Sequence, residues 1–178
     1  MFKIRNAEIT DAKAIYDIWS NGWKYAYNTI LSPKFLKKRV GSDAVNEKIK
    51  KFPEKLEKTR AKENLFWVVL DNDKIIGFVS GGAPNSPECT TDCELDMLYI
   101  DTNYIGCGVG KFLFQLFAKE MKKRGKKTLG LMCFSDNNSI GFYKKMGGKI
   151  TIERQSGENF EYTMASFIEF DIDNILKK

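Results

Sequence analysis

The stretch from residue 93 to residue 134 constrains the fold more than any other part of the sequence. Its pattern predicts a strand (CELDMLYI), a turn with alternating glycines (YIGCGVG), an amphipathic helix and a second strand (KTLGLMCF). The helix has Leu113, Phe117 and Met121 on one face, and Gly125 follows it in a position typical of helix C-termini. A strand, a helix and a strand joined in this way form a right-handed crossover, so the two strands are predicted to be parallel.

The segments around this unit predict further strands and helices. The sequence begins with a strand (FKIRNAE) and a helix that ends near Asn21-Gly22, after which two short helices are expected. NLFWVVL and KIIGFVSGG predict one hairpin, and KITIERQ and FEYTMASFIEFDI predict a second, closing hairpin. The chain is therefore expected to be an α/β protein with a mixed sheet and helices on both of its faces.

Residues 45–63 contain interspersed glutamates and lysines around a few apolar residues. This pattern is typical of a solvated surface helix held by spaced ion pairs, and Pro53 marks a point where the helix kinks or splits. No repeat or low-complexity linker divides the chain. With 178 residues, of which 43% are hydrophobic, it is predicted to form a single domain over residues 1–178.

The composition excludes several classes of function. The chain has no histidine, which removes Ser-His-Asp and Cys-His catalysis and most imidazole-based zinc sites. Its four cysteines form no C-x-x-C pair and are expected to be reduced thiols. No signal-peptide-like or membrane-spanning apolar run is present, so a cytoplasmic protein without membrane association is expected. The net charge of +6 favours an anionic partner.

Glycines alternate with other residues over 106–110, directly after a strand and at the start of a helix. Such a turn presents unpaired backbone N–H groups to an anion, although glycines also serve tight turns that bind nothing. A Walker A loop would have glycine at position 105 and Ser or Thr at 112, where Ile105 and Phe112 stand. A dinucleotide fingerprint from Gly106 would need glycine at position 111, where Lys111 stands. Both of these classes are disfavoured.

The turn resembles the cofactor motif of the GNAT superfamily, Q/R-x-x-G-x-G/A. The aligned run extends from Ile105 to Gly110, with Ile105 in place of Gln or Arg. Downstream, SDNNSIGFYKKMGGKI is similar to the asparagine, Phe-Tyr and double-glycine pattern of one branch of the superfamily, in which Asn137, Phe142 and Tyr143 match cofactor-facing positions. ELDMLYI is similar to the family's fourth strand, and nearly the whole chain is covered.

The resemblance implies a GNAT-like fold, with roughly seven strands in a mostly antiparallel sheet and a parallel pair at strands four and five. It implies an N-acetyltransferase that transfers the acetyl group of acetyl-coenzyme A directly to an amine in a ternary complex. The residues implied to contact the cofactor are Leu98, Tyr99, Ile100, Ile105, Gly106, Cys107, Gly108, Val109, Gly110, Lys111, Asn137 and Phe142. Cys107 lacks a histidine to activate it and is interpreted as a spacer.

Direct transfer needs a base for the amine and an acid for the leaving thiolate. Tyr143 matches the family's acid, and the alternative for it is an aromatic residue of the core. Glu94 matches the position of a catalytic glutamate in some members, with Asp96 or a chain of waters as alternatives. In a regular strand Glu94 and Asp96 share one face, with Leu95 and Met97 on the other. These carboxylates could equally be solvated or paired with lysines.

The developing oxyanion needs hydrogen-bond donors. The resemblance implies backbone N–H groups near residues 98–100, freed by a bulge in the fourth strand. For the acceptor, the aromatic side chains Trp19, Trp23 and Tyr27 are predicted to wall an apolar pocket together with the last hairpin. The alternative for these three residues is ordinary packing in the core.

The expected partner is a small-molecule or peptide amine, and the sequence does not identify it. One alternative function is a coenzyme A or acyl-coenzyme A binding sensor without catalysis, suggested by Ile105 and the uncertain base. Another is nucleic-acid binding through KKRGKK, but acidic residues are interspersed and no readout motif is present, so no nucleic acid is expected. The oligomeric state stays open, a homodimer included.

Overall fold

The strands follow the predicted order. The helices differ from the prediction, because residues 23–27 belong to the first helix, the surface helix is split in two and a short helix follows the last strand. The computed structural model describes residues 2–178. In chain order the strands are β1 (Lys3–Asn6), β2 (Leu65–Asp71), β3 (Lys74–Gly82), β4 (Cys93–Ile100), β5 (Thr128–Phe134), β6 (Lys149–Gln155) and β7 (Met164–Asp171). The α-helices are α1 (Ala12–Tyr27), α2 (Pro33–Val40), α3 (Ser42–Lys50), α4 (Phe52–Ala61), α5 (Val109–Lys123), α6 (Ser139–Lys145) and α7 (Ile172–Leu176).

The seven strands form one sheet in the order β1-β2-β3-β4-β5-β7-β6. Every neighbouring pair is antiparallel except β4 and β5, which are parallel. The crossover through α5 produces this parallel pair, because a strand returned by a helix runs in the same direction as the first. The expected sheet, mostly antiparallel with strands four and five parallel, is confirmed.

Two hydrophobic cores lie on opposite faces of this sheet. Successive residues of a strand point to opposite faces, and Val68 and Val69 of β2 fall in different cores. One core surrounds Phe117 and packs α5, α6 and α7 against the sheet. The other surrounds Phe52 and Phe78 and packs α1 to α4 against it. The expected helices on both faces are therefore confirmed.

Helix α1 does not end near Asn21-Gly22, as the sequence predicts, but continues to Tyr27. Gly22 has a packing role within the helix, because a Cβ atom there would lie 2.7 Å from the ring of Tyr99 in β4. Glycine thus lets the helix axis approach the sheet closely. With 16 residues, α1 is the longest helix, and none of the helices within residues 2–178 has the length and apolar character needed to cross a membrane.

The predicted surface helix over residues 45–63 is split into α3 and α4. Lys51 separates the two helices, and Pro53 lies in the first turn of α4. A proline is tolerated there because the first N–H groups of a helix have no intrahelical acceptor. The split turns one face of α4 toward the loop between β3 and β4, where cavities lined by both are found.

Strand β4 has a bulge at Asp96. Ser80 of β3 pairs with Met97 and Gly81 pairs with Leu95, so Asp96 is the extra residue between them. The bulge reverses the alternation of side chains, and Leu95 packs in the core around α5 while Met97 packs against the opposite core. The prediction that Leu95 and Met97 share one face is therefore wrong. The bulge that the resemblance implied lies just before residues 98–100.

The parallel pair is short. Strands β4 and β5 are paired only at Cys93 with Leu129 and at Glu94 with Gly130. Beyond these positions each strand keeps its antiparallel neighbour on the other side, β3 for β4 and β7 for β5. The two strands therefore separate from Leu95 onward and leave a cleft in the middle of the sheet.

Gly81 allows the bulge, and Gly81→Ala is expected to destabilise the fold. A Cβ atom at this position would lie 2.8 Å from Cζ of Phe117 and 2.9 Å from Cα of Leu95. Overpacking of this kind costs about 1–3 kcal/mol. The free energy of unfolding, measured with chemical denaturant, should fall by this amount.

Gly141→Ala is a matched control for this substitution. Gly141 lies within α6, and a Cβ atom there would meet no atom within 4 Å. The added methyl group should leave stability unchanged or raise it, by at most about 1 kcal/mol, because alanine favours the helix. Equal stabilities of the two variants would show that the bulge does not require glycine.

Candidate functional site

The cleft between β4 and β5 opens into a cavity of about 520 Å³. Residues 95–100 of β4 and residues 131–133 of β5 form its sides. The glycine turn before α5 and the first residues of α6 close one end, and residues 25–27 of α1 close the other. The separation of the two strands thus brings four parts of the sequence together around one space.

The glycine turn is shaped to receive a ligand. Gly106 and Gly108 have φ angles of 85° and 83°, in the left-handed region that favours glycine. A Cβ atom at either position would meet no atom within 4 Å, so both glycines border open space. Gly108 is the N-cap of α5 and offers no side-chain cap to the helix. Phe112 is the first residue of α5 whose N–H bonds back, to Gly108, and the N–H of Cys107 bonds to Tyr104. The N–H groups of residues 108–111 between them are therefore free to bind an anion.

Most of the residues that the resemblance assigns to the cofactor line this cavity, namely Leu98, Tyr99, Ile100, Ile105, Gly106, Gly108, Gly110, Lys111, Asn137 and Phe142. Cys107 is exposed outside it, and Val109 is fully buried in the core. The Lys111 ammonium donates a hydrogen bond to the Lys178 carbonyl oxygen at 2.6 Å, which holds it to one side of the turn.

Asn137 connects two walls of the cavity. Its Oδ1 atom accepts a hydrogen bond from the backbone N–H of Ser139 at 2.8 Å, at the start of α6. Its Nδ2 atom donates to the hydroxyl of Tyr27 at 2.9 Å, at the end of α1. Asn137 is buried, and these two bonds engage both polar atoms of its side chain and connect α6 with α1.

Tyr143 lies on the cavity wall with its ring packed among Phe114, Phe142 and Phe170. Only 8% of the residue is exposed. Burial raises the pKa of the phenol strongly, with a further contribution from the Cys133 thiol nearby. The hydroxyl therefore stays protonated at neutral pH and can act as a hydrogen-bond donor to a ligand in the cavity.

Glu94 is only 3% exposed and is engaged by the loop between β3 and β4. Its Oε2 atom accepts hydrogen bonds from the backbone N–H groups of Asn85 at 2.7 Å and Ser86 at 2.8 Å. Its Oε1 atom accepts a further bond from the Ser86 hydroxyl. These contacts give Glu94 a structural role in closing the loop, and its catalytic role stays a prediction.

Asp96, at the bulge, occupies the junction of three cavities. It borders the main cavity and two smaller ones of about 310 and 370 Å³ on the side of α4. The side chain is accessible to these cavities, yet protein surrounds it on several sides. This enclosure, together with the negative charge of Glu94, raises the pKa of the Asp96 carboxyl to about 6. At neutral pH it is ionised and able to accept a proton.

The aromatic residues predicted to wall an acceptor pocket lie in the core around α1. Trp19 and Trp23 are 6% and 7% exposed and pack against each other. Tyr27 borders the main cavity, next to Asn137, and burial raises its pKa. The placement of the two indoles agrees with the alternative of core packing, and their contact with an acceptor stays a prediction.

Sequence reasoning undervalued Asp96 and missed Met132, which borders both the main cavity and the cavity of about 370 Å³. The bulge decides the position of Asp96, and no residue type in β4 signals a bulge. Gly81, opposite the bulge, is the available signal, because a glycine in a strand pattern often marks a bulge or a close backbone approach.

The chain matches the family model described as the Acetyltransferase (GNAT) family over residues 13–148. Among curated proteins it is 26% identical to an uncharacterized N-acetyltransferase of Bacillus subtilis, YuaI, over 90% of this chain and 86% of that one. It is also 26% identical to a spermidine N(1)-acetyltransferase of Thermoplasma acidophilum, over 89% of this chain and 93% of that one.

Solved structures share the fold. PaiA N-acetyltransferase of Thermoplasma acidophilum, in complex with coenzyme A, superposes with a TM-score of 0.74 at 22% identity, covering 96% of this chain and 99% of that one. YncA of Salmonella typhimurium, with its cofactor acetyl-CoA, gives a TM-score of 0.68 at 17% identity, covering 97% and 95%. At these identities the likeness extends to the fold alone.

The Asp96 carboxyl is expected to titrate with a midpoint at about pH 6, because enclosure and Glu94 both disfavour its charged form. Carboxyl ¹³C NMR of the labelled protein measures this midpoint. Asp92, whose carboxylate accepts hydrogen bonds from the backbone N–H groups of Lys127 and Thr128, should titrate below the usual aspartate range in the same spectra. Glu94→Gln should lower the Asp96 midpoint by removing a negative neighbour. A midpoint near the ordinary value of about 4 would contradict the assignment.

Proposed function

Because the chain belongs to the GNAT acetyltransferase family, we propose that it is an N-acetyltransferase that moves the acetyl group of acetyl-coenzyme A directly to an amine. The observation that carries this proposal is the single cavity between β4 and β5, which has the glycine turn at one end and Asp96 in its wall. A donor and an acceptor can therefore lie in the same space at once. The acceptor is a small molecule or a peptide with a free amine.

The open glycine turn fits the pyrophosphate of the donor. Backbone N–H groups at the start of α5 would bind its oxygens, aided by the helix dipole. Ile105, which replaces the Gln or Arg of the family motif, is 47% exposed at the cavity and offers no hydrogen bond. Backbone donors would therefore supply most of the binding. Residues 98–100 of β4, which border the cavity beyond the last pairing with β5, would hold the arm that carries the acetyl group.

Asp96 is the proposed base. Acetyl-coenzyme A supplies a thioester carbonyl that an amine can attack only in its neutral form. The Asp96 carboxylate, ionised above pH 6, would take the proton from the ammonium form of the acceptor, directly or through one water. Glu94 is less suited to this step, because both of its oxygens already accept hydrogen bonds from the loop. Its negative charge supports the base by raising the pKa of Asp96.

Tyr143 is the proposed hydrogen-bond donor to the leaving thiolate. Its pKa is raised by burial, so the phenol is protonated throughout the neutral range. A phenol with a raised pKa gives up its proton less readily than an ordinary tyrosine. Tyr143 would therefore stabilise the developing negative charge on sulfur chiefly by donating a hydrogen bond.

The thiols of this chain favour direct transfer over an acetyl-cysteine intermediate. Burial raises the pKa values of Cys93 and Cys133 to about 12, so both are protonated at neutral pH. The other two thiols do not line the cavity: Cys107 lies in the exposed turn, and Cys89 lies in the loop between β3 and β4. A thiolate nucleophile is therefore not available at the site where the acetyl group would arrive.

Tyr143→Phe tests the proposed activity. Coenzyme A release, followed with a thiol reagent, is measured with acetyl-coenzyme A and a panel of amines that includes spermidine, the amine in the name of one relative. The substitution should lower kcat about 100-fold and leave the free energy of unfolding unchanged, because the ring packing is retained.

Tyr162→Phe is the matched control, since Tyr162 is 56% exposed and borders none of the cavities described above. It should keep full activity. An unchanged kcat in Tyr143→Phe would remove this residue from the mechanism. Saturable coenzyme A binding without turnover of any amine would instead support a sensor that has lost catalysis.

Asp96→Asn should abolish the acidic limb of the pH profile of kcat/KM. A base must be ionised to accept a proton, so activity should rise with pH through a midpoint at about pH 6 in the parent enzyme. The variant should fold at least as stably at pH 7, because a carboxylate whose pKa is raised by folding destabilises the folded state above that pKa. Retention of the limb in Asp96→Asn, with its loss in Glu94→Gln, would assign the base to Glu94.

A further inference from the structure

A row of lysines borders the cleft on the side of α4. Lys51, Lys55, Lys58 and Lys62 recur every three or four residues and therefore lie on one face of the helix and its flanks. They line the cavity of about 310 Å³ together with Glu54, Thr59, Asn64, Asn85 and Asp96. The sequence pattern predicts a solvated face held by ion pairs. Lys51, Lys58 and Lys62 are exposed in agreement with it, whereas Lys55 is half-buried.

Only one lysine of this row has a carboxylate partner. Lys58 pairs with Glu54 at 2.6 Å, one turn away on the same helix. Within residues 2–178, no ion pair within 4.0 Å is found for Lys51, Lys55 or Lys62. The four lysines outnumber the two carboxylates in the wall, Glu54 and Asp96, so the cavity has an excess of positive charge.

Lys55 is the most enclosed lysine of the row. Its ammonium lies 3.7 Å from the Met97 sulfur and 5.8 Å from the centre of the Phe66 ring, and neither group is a strong acceptor. Burial lowers the pKa of Lys55, and the nearby charge of Lys48 lowers it further, whereas Asp96 opposes the shift. A half-buried ammonium without an anionic partner is unfavourable, so an anion from outside the protein would stabilise it.

Asp96 connects this positive cavity with the reaction centre. It lines the cavity of the lysines and also the main cavity with Tyr143 and the glycine turn. The positive charges of Lys55 and Lys62 act on Asp96 and partly offset the rise of its pKa, which places them within electrostatic reach of it. Negative charge at Asp96 and positive charge along α4 thus lie side by side on the acceptor's side of the cleft.

We propose that the acceptor is an amine that also carries an anionic group, a carboxylate or a phosphate, which Lys51, Lys55 and Lys62 bind while the amine lies at Asp96. The inference rests on the proposed function and names the substrate class of the same site. A polyamine fits this arrangement poorly, because its second ammonium would lie beside lysines that have no anionic partner. The specificity would thus differ from that of the spermidine-named relative.

The test compares acceptors that differ only in the anionic group. Coenzyme A release is measured with ω-amino acids of increasing chain length, with alkylamines of the same lengths, with aminoalkyl phosphates and with spermidine. We expect kcat/KM to be about tenfold or more higher for the anionic acceptors, with an optimum at one chain length. The better of the carboxylate and phosphate series identifies the anionic group.

The double variant Lys51→Gln/Lys62→Gln should lose this preference through a higher KM for the anionic acceptors, with KM for the alkylamines unchanged. Both lysines are exposed and have no ion pair with any residue of 2–178, so the fold should be retained. Lys119→Gln/Lys127→Gln is the control, because it removes the same charge from exposed positions outside the cavities. It should keep the preference.

Three results would overturn the inference, and they distinguish it from the proposed function. Turnover of alkylamines or spermidine that equals turnover of every anionic acceptor, or an equal loss in both double variants, would refute the anionic acceptor and leave the acetyltransferase activity in place. Absence of turnover with every amine, in protein that binds coenzyme A, would refute the proposed function and this inference together.

Discussion

The early separation of β4 from β5 is the constraint on which the site depends. A parallel pair that continued over the whole length of β4 would bond both edges of the strand and close the sheet. Two paired positions join the strands, and beyond them the bulge at Asp96 turns the chain of β4. The crossover helix begins at the open end, so its unpaired N–H groups face the cleft. The separation of the two strands thus produces both the cleft in the sheet and the proposed binding site for the acetyl donor.

Enclosure by the protein has opposite chemical consequences at the two proposed catalytic groups. Burial of the Tyr143 phenol and partial enclosure of the Asp96 carboxyl both disfavour the charged form, and so the pKa of each group is raised. For the phenol the shift moves titration further from neutral pH, which secures a donor. For the carboxyl it moves titration toward neutral pH, which yields a stronger base than an ordinary aspartate. One physical effect therefore supplies both an acid-side and a base-side group along the same cleft.

The sequence predicted those features that depend on local patterns. The crossover at residues 93–134, both hairpins and the glycine turn follow from strand alternation, helical spacing and glycine positions, and each is found. The place of Tyr143 in the cavity wall was predicted only through the family resemblance. The apolar pattern of its helix by itself is also typical of a helix packed in a core. The bulge at Asp96 depends on the contact between β3 and β4 at Gly81. A contact between two strands cannot be predicted from the sequence of either strand alone. The extension of α1 through Gly22 depends in the same way on Tyr99.

The lysines of α4 show that a charge pattern in the sequence does not by itself predict which side chains are exposed to solvent. The residues that pack against the helix from other elements must also be known. Spacing of i and i+4 correctly pairs Glu54 with Lys58, because both partners lie on one helix. The same spacing says nothing about Lys55, whose surroundings are set by Phe66 in β2 and Met97 after the bulge. Had β4 remained regular, Met97 would have pointed into the core around α5 and Lys55 would have faced a different strand surface. The bulge therefore positions the proposed base and also leaves a cation beside it. A site with both charges would discriminate acceptors by their second functional group.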